Sequence, residues 1–167
     1  WGYTNDPTAI VSVYYYNGGY ILDEKVYQRG MSNRDIADTL KSYTQKLIIA
    51  DSAEPKSIDE LRSFGLNVSP CQKGKDSVRQ GIQLVQDQPV SITKQSTNGI
   101  KEYRNYLWMI DKNGKMLGEP EGGNDDFLDA ARYALSTLSK IEPPKNYWDK
   151  IFKDELSGKV KLINRGR

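Results

Sequence analysis

The chain has 167 residues, 28% of them charged, with a net charge of +2 and a mean hydropathy of −0.70, which sets the expectation of one soluble domain large enough for its own core. No apolar run approaches the ~18 residues of a membrane span, and no basic-then-apolar secretion leader is visible. Cys71 is the single cysteine and histidine is absent, so an internal disulfide, a cysteine-based zinc site and histidine acid–base chemistry are excluded. Hydrolytic chemistry here must run on carboxylates, metals or lysines. Acids gather at Asp51/Glu54 and from Glu119 to Asp129, while bases gather at Lys73/Lys75/Arg79, at Lys94/Lys101/Arg104 and near the C-terminus. That is the pattern of an acidic pocket inside a basic rim. The chain starts at Trp1 without a methionine and is read as a fragment of a longer product.

Residues 8–16 alternate and are rich in β-branched and aromatic side chains, a strand, and Asn17-Gly18-Gly19 turns it into an antiparallel partner over 20–27. Ser32 is placed to cap a helix running to about Lys46, with Ile36, Leu40 and Tyr43 at helical spacing. Residues 47–50 form a short buried strand that ends on Asp51. A helix over 55–64 follows, with Pro55 in its first turn and Gly65 just past its end. Next come a strand at 66–69, a helix at 75–85, strands at 89–93 and 100–110, and a hairpin turn at 111–115. Gly122-Gly123 breaks the chain, Asn124 caps a last helix to about Lys140, and Pro143-Pro144 stops it, dividing a domain over 1–142 from a basic tail over 143–167. A hairpin followed by alternating helices and strands implies an α/β fold with a mixed sheet flanked by helices.

Two places carry chemistry. Ligands of open α/β sheets bind beyond the carboxyl ends of the strands, and Asp51 stands at such an edge, where a carboxylate costs little to expose. On the last helix Leu128, Ala131, Leu135 and Leu138 form the apolar stripe, with Asp125, Asp126 and Asp129 on a neighbouring face. Acids in a first turn stabilise the positive helix end by about 0.3–1 kcal/mol each, which accounts for Asp125 and Asp126, and for Glu54 before Pro55, but less well for Asp129. Gly74-Lys75 is not a nucleotide-binding loop, because the upstream glycine is missing and Asp76 stands where Ser or Thr is needed. Tyr103, Tyr106 and Trp108 alternate along one face of the expected 100–110 strand and read as core; Tyr14-Tyr15-Tyr16 reads as strand rather than recognition surface.

Four blocks in order, Trp1-Gly2-Tyr3-Thr4-Asn5-Asp6-Pro7-Thr8-Ala9, Ala50-Asp51-Ser52-Ala53-Glu54-Pro55-Lys56-Ser57-Ile58, Lys73-Gly74-Lys75-Asp76-Ser77-Val78 and Leu128-Asp129-Ala130-Ala131-Arg132-Tyr133, resemble the C-terminal nuclease domain of phage terminase large subunits. The resemblance implies an RNase H-like fold and metal-dependent endonuclease activity on double-stranded concatemeric viral DNA during genome packaging. It makes Asp51 and Asp129 the second and third metal-binding, catalytic carboxylates, with Asp126 a further ligand where relatives often carry a histidine. The first carboxylate of the family would immediately precede Trp1, so both it and the central first strand that carries it fall outside this chain; Asp6 belongs instead to the turn that starts the strand at Thr8. Weakened metal binding is therefore expected of the chain alone.

The chemistry suits these residue types. Two ions about 3.5–4 Å apart activate a water and clamp the departing oxygen. Mg²⁺ or Mn²⁺ prefers carboxylate oxygen and needs no histidine. Lys73, Lys75 and Arg79 are expected to hold DNA phosphates, and Lys112 and Lys115 to present charge to the duplex from the hairpin tip. The implied partners are double-stranded DNA, an ATPase domain in the parent chain, the portal and the small terminase subunit, with no membrane, in the host cytoplasm. Phosphate contacts carry no sequence information and no base-reading helix is evident, so little sequence preference is expected. The alternative from another class is a non-catalytic module that binds DNA or docks on the portal; a resolvase or transposase core is disfavoured by the Asp51-Ser52-Ala53-Glu54-Pro55 block.

Overall fold

A computed structural model describes residues 1–2, 6–43, 46–74, 77–120, 123 and 125–138. Strands β1 (Thr8–Tyr16) and β2 (Gly19–Gln28) form a long antiparallel hairpin, and β5 (Val90–Ile92) adds to β2 in parallel, giving a mixed sheet in the order β1-β2-β5. The hairpin closes on a two-residue loop in which Asn17 and Gly18 both take positive φ, 49° and 77°. That is the turn whose twist matches paired strands and for which Asn-Gly is the preferred sequence. β3 (Ile48–Ala50) and β4 (Val68–Pro70) pair in parallel as a second sheet, and β6 (Trp108–Ile110) and β7 (Met116–Pro120) pair antiparallel as a third.

Five helices cover these sheets: α1 (Asn33–Leu40), α2 (Pro55–Ser63), α3 (Ser77–Gln86), α4 (Thr97–Asn105) and α5 (Asp126–Leu138). α1 opens with a reciprocal cap in which the Asp35 N–H donates to Ser32 Oγ and the Ser32 N–H to the Asp35 carboxylate, an arrangement worth about 1 kcal/mol. It ends earlier than its sequence spacing predicts, passing at Lys41–Tyr43 into a 3-10 turn. One core forms where Ile36, Ala37 and Leu40 meet Ile58, Leu61, Val68 and Ala50. The other forms where Phe127 and Ala131 of α5 press on Leu22 of β2.

One expected element is wrong. Residues 100–110 are not a strand: 97–105 is α4, and only Trp108–Ile110 is extended. Tyr103 accordingly lies exposed on a helix rather than in the core. The reason is that α4 buries Gly99 and Glu102 instead of an apolar stripe. Gly99 lies against the Phe127 ring so closely that a Cβ there would sit 2.7 Å from it. Asn124, the expected cap of α5, and the tail over 143–167 lie outside the described residues.

Two strand edges are left open in a revealing place. Among the described residues β1 pairs only with β2, and β3 only with β4. Residues of both line one cavity of about 570 Å³, with Ile10 and Val11 on one side, Ile48 and Ile49 on the other, and Ala134 and Leu138 of α5 also in the wall. No described strand bridges β1 and β3.

Candidate metal centre

Asp51 follows directly on Ala50, the last and buried residue of β3. Its carboxylate turns back on the chain, accepting the Ala53 N–H at 2.9 Å, a local turn that Asp makes readily. Asp129 sits one turn into α5, where Phe127, Ala131 and Leu135 face inward and leave Asp129, Arg132 and Tyr133 directed toward β3 and α3.

These two carboxylates converge on one phenol. The Tyr133 hydroxyl lies 3.4 Å from Asp51 Oδ2 and 3.1 Å from Asp129 Oδ2. Laid end to end, those distances leave the two oxygens at most about 6.5 Å apart. Ions about 3.5–4 Å apart, each about 2.0–2.1 Å from its ligand, span carboxylate oxygens up to about 8 Å apart, so the pair is close enough to share such a site. The donors are hard oxygens, which fits Mg²⁺ or Mn²⁺. Among the described residues no cluster of three or more His, Cys, Asp or Glu is poised for a metal.

Two cations balance the acids. Lys73, in the loop after β4, pairs with Asp51, and Arg132 pairs with Asp129. The Lys73 ammonium and the Arg132 guanidinium also lie 5.1 Å and 4.8 Å from the centre of the Tyr133 ring. Burial opposes ionisation of Asp51, but Lys73 and the Ala53 N–H outweigh it and hold the carboxyl below its ordinary value. Burial pushes the Tyr133 phenol up, with the charges of Asp129 and Asp51 adding to it. The phenol therefore keeps its proton and offers it as a hydrogen bond to the carboxylates.

A family of terminase RNase H-like domains matches residues 1–137. The terminase large subunit of Bacillus phage SPP1 is 34% identical over 143 residues, 80% of this chain. This chain belongs to the terminase RNase H-like domain family.

The nuclease domain of the SPP1 large terminase, a structure with bound Mn, superposes with a TM-score of 0.71 at 31% identity, covering 80% of each chain. The large terminase of the thermophilic bacteriophage D6E matches with a TM-score of 0.65 at 22% identity, over 81% of this chain and 38% of that one, and shares the fold. The PBSX phage terminase large subunit of Bacillus subtilis is 32% identical over 65% of this chain. The terminase domain spans about a third and about a quarter of the length of the two curated large subunits it matches, 34% and 26%. Its fold is RNase H-like, a mixed sheet flanked by helices.

The other expected site residues of this terminase domain are placed as follows. Asp126 accepts from the Tyr27 hydroxyl of β2 at 3.4 Å, rather than from Tyr133. Burial raises its pKa, and the next cause is the charge of Asp6; for Asp125, burial is followed by the charge of Asp129. The acid that feels Asp129 is thus Asp125. Arg79 is exposed on α3, and Lys75 lies outside the described residues. Lys112 and Lys115 are exposed at the β6–β7 turn, on a different sheet from the carboxylates. Glu54 stands before α2 without making a side-chain cap.

Four partners were not anticipated. Tyr133 and Arg132 were within reach of the sequence, since they stand four and three residues beyond Asp129 on one helix. Glu102, which accepts the Phe127 and Leu128 N–H groups at 2.9 Å and 3.1 Å, was hidden by the reading of its segment as a strand. Lys73 was expected on DNA, and it is the direct ion-pair partner of Asp51.

Proposed function

We propose that the chain is the nuclease part of a phage terminase large subunit and cuts concatemeric double-stranded DNA during packaging by two-metal phosphodiester hydrolysis. The observation that carries this reading is the convergence of Asp51 and Asp129 on Tyr133 within a terminase RNase H-like fold. Asp51 and Asp129 hold the divalent ions, Mg²⁺ or Mn²⁺, and Asp126 serves as a further ligand. Bound there, the ions supply Lewis-acid activation of a water and stabilisation of the departing oxygen. The Mn in the SPP1 nuclease structure supports a divalent cation of this kind.

The remaining residues position and balance. Tyr133 shares its hydroxyl hydrogen between the paired carboxylates and ties them together. The cavity lined by both β1 and β3 is left unfilled by the described residues. This supports a first carboxylate supplied by the parent chain, on a strand that fills the cavity between β1 and β3. Lys73, Lys75, Arg79, Lys112 and Lys115 contact phosphates. The ATPase motor, the portal and the small terminase subunit complete the machine, working in the host cytoplasm; no helix among the described residues is long and apolar enough to cross a membrane.

The test is cleavage of supercoiled plasmid by the chain extended through the parent residues before Trp1, in Mn²⁺ or Mg²⁺. Asp51→Asn and Asp129→Asn should each lower cutting at least 100-fold, in line with losing about 3 kcal/mol of transition-state stabilisation. Undiminished cutting by both variants would remove them from the reaction. Retarded plasmid without cutting by the unaltered protein would favour the non-catalytic DNA-binding module.

A further inference from the structure

The two cations at the carboxylates differ in one respect that decides their roles. Arg132 has a side chain only 8% exposed, and its stem lies against Gly81 of α3, where even a Cβ would come within 2.8 Å of it. It is fixed. Among the described residues Lys73 is held by Asp51 and the Tyr133 ring, and its side chain is 39% exposed. Lys73 also borders a second cavity, of about 180 Å³, lined by Gln72, Ser77, Gln80 and Ser136 with Arg132 in its wall. This cavity opens beside the metal site, its lining is rich in polar groups, and a fixed positive charge stands in it. That is the chemistry of a phosphodiester pocket.

Resting on the nuclease reading above, we propose that Lys73 is an exchangeable counter-ion, which pairs with Asp51 until a divalent ion takes that carboxylate and then turns onto a phosphate of the DNA strand seated in the cavity beside Arg132. A divalent ion on Asp51 removes the attraction that holds Lys73 and repels its ammonium at short range. Rotation about the flexible lysine stem reaches the cavity without moving the backbone, because Lys73 already lines it. Metal loading thereby recruits a DNA contact, and the strand is gripped most tightly once the site is ready to cut it.

The prediction is quantitative, because each phosphate neutralised by a cation adds about 0.9 to the slope of log K against log salt. DNA affinity of the large subunit is measured by fluorescence anisotropy across a KCl series, in EDTA and in Ca²⁺, for the unaltered protein, Lys73→Gln and Lys73→Arg. In Ca²⁺ the Lys73→Gln slope should be shallower by about 0.9, whereas in EDTA it should match the unaltered protein, and Lys73→Arg should retain the difference between the two conditions. Calorimetry should show Lys73→Gln taking up Mn²⁺ several-fold more tightly, having lost a competitor for Asp51. Equal loss of slope in both conditions would mean that Lys73 always contacts DNA, and no loss in either that it never does; each overturns the exchange. Failure of the unaltered protein to take up Mn²⁺ at all would instead overturn the nuclease reading on which it rests.

Discussion

One phenolic proton serves two carboxylates in this domain, and two cations complete the balance. The Tyr133 hydroxyl stands between Asp51 and Asp129 while Lys73 and Arg132 take the opposite oxygens. A second buried charge shows the same economy without any site attached. Asp23 of β2 is 5% exposed, pairs with Lys25, and accepts hydrogen bonds from Thr93 Oγ1 at 2.7 Å and Gln95 Nε2 at 2.8 Å. The Lys25 bond, against the opposing effect of burial, holds its carboxyl below the ordinary 3.8, and the Asp23 bond raises Lys25 above 10.5. The stabilisation from Asp23 is complete above 3.8 and lost as pH falls through its lowered folded value; that from Lys25 is complete below 10.5 and lost as pH rises through its raised one. Asp23→Asn should therefore cost about 1–3 kcal/mol at neutral pH, with the gap from the unaltered protein shrinking only in strong acid or strong base. Urea unfolding midpoints across pH check this.

Successive carboxylates tie the sheet to α5. Glu24 of β2 accepts the Asn98 Nδ2–H and the Gly99 N–H at 2.7 Å and 2.9 Å, holding the start of α4. Glu102, one turn on in α4, accepts the first free N–H groups of α5. α5 then presents Asp129 toward Asp51. Gly99 allows this by letting α4 lie against the fully buried Phe127 ring. Gly99→Ala gains about 1 kcal/mol of helix propensity but overpacks a rigid ring at a cost of about 1–3 kcal/mol, so a net loss of stability is expected, read as a lower Tm. A higher Tm would show that α4 and α5 separate easily. The same helix explains why its segment was illegible in the sequence. An apolar stripe betrays α5, and turn residues betray the β1–β2 hairpin, but the buried face of α4 is a glycine and a glutamate. Both become meaningful only beside Phe127 and the end of α5, contacts that local periodicity does not contain. Asp51 was legible because an apolar strand ended on it. Its partner Asp129 was recognisable by its block, and the ion pair between Lys73 and Asp51 was not, because the two residues come from loops after different strands.

At the scale of the molecule, an RNase H-like domain is divided by a groove. β1 and β3 line opposite walls of a cavity of about 570 Å³, α5 contributes to both sides, and the Trp1 side chain borders it. Asp51 and Tyr133, the phenol between the two carboxylates, both line this cavity. A strand filling it would join the β1-β2-β5 and β3-β4 sheets and deliver its own side chain beside Asp51. On the reading proposed above, fold, groove and carboxylates belong to one design, in which acids from separate elements meet at one point. Its centre is the claim that Asp51 and Asp129 hold divalent ions together. The most direct measurement is the anomalous difference density of Mn²⁺ in crystals of the extended chain. The account predicts peaks within bonding distance of both the Asp51 and Asp129 carboxylates, with Lys73 displaced from Asp51. Mn²⁺ bound elsewhere, with Asp51 and Asp129 still paired to Lys73 and Arg132, would contradict it.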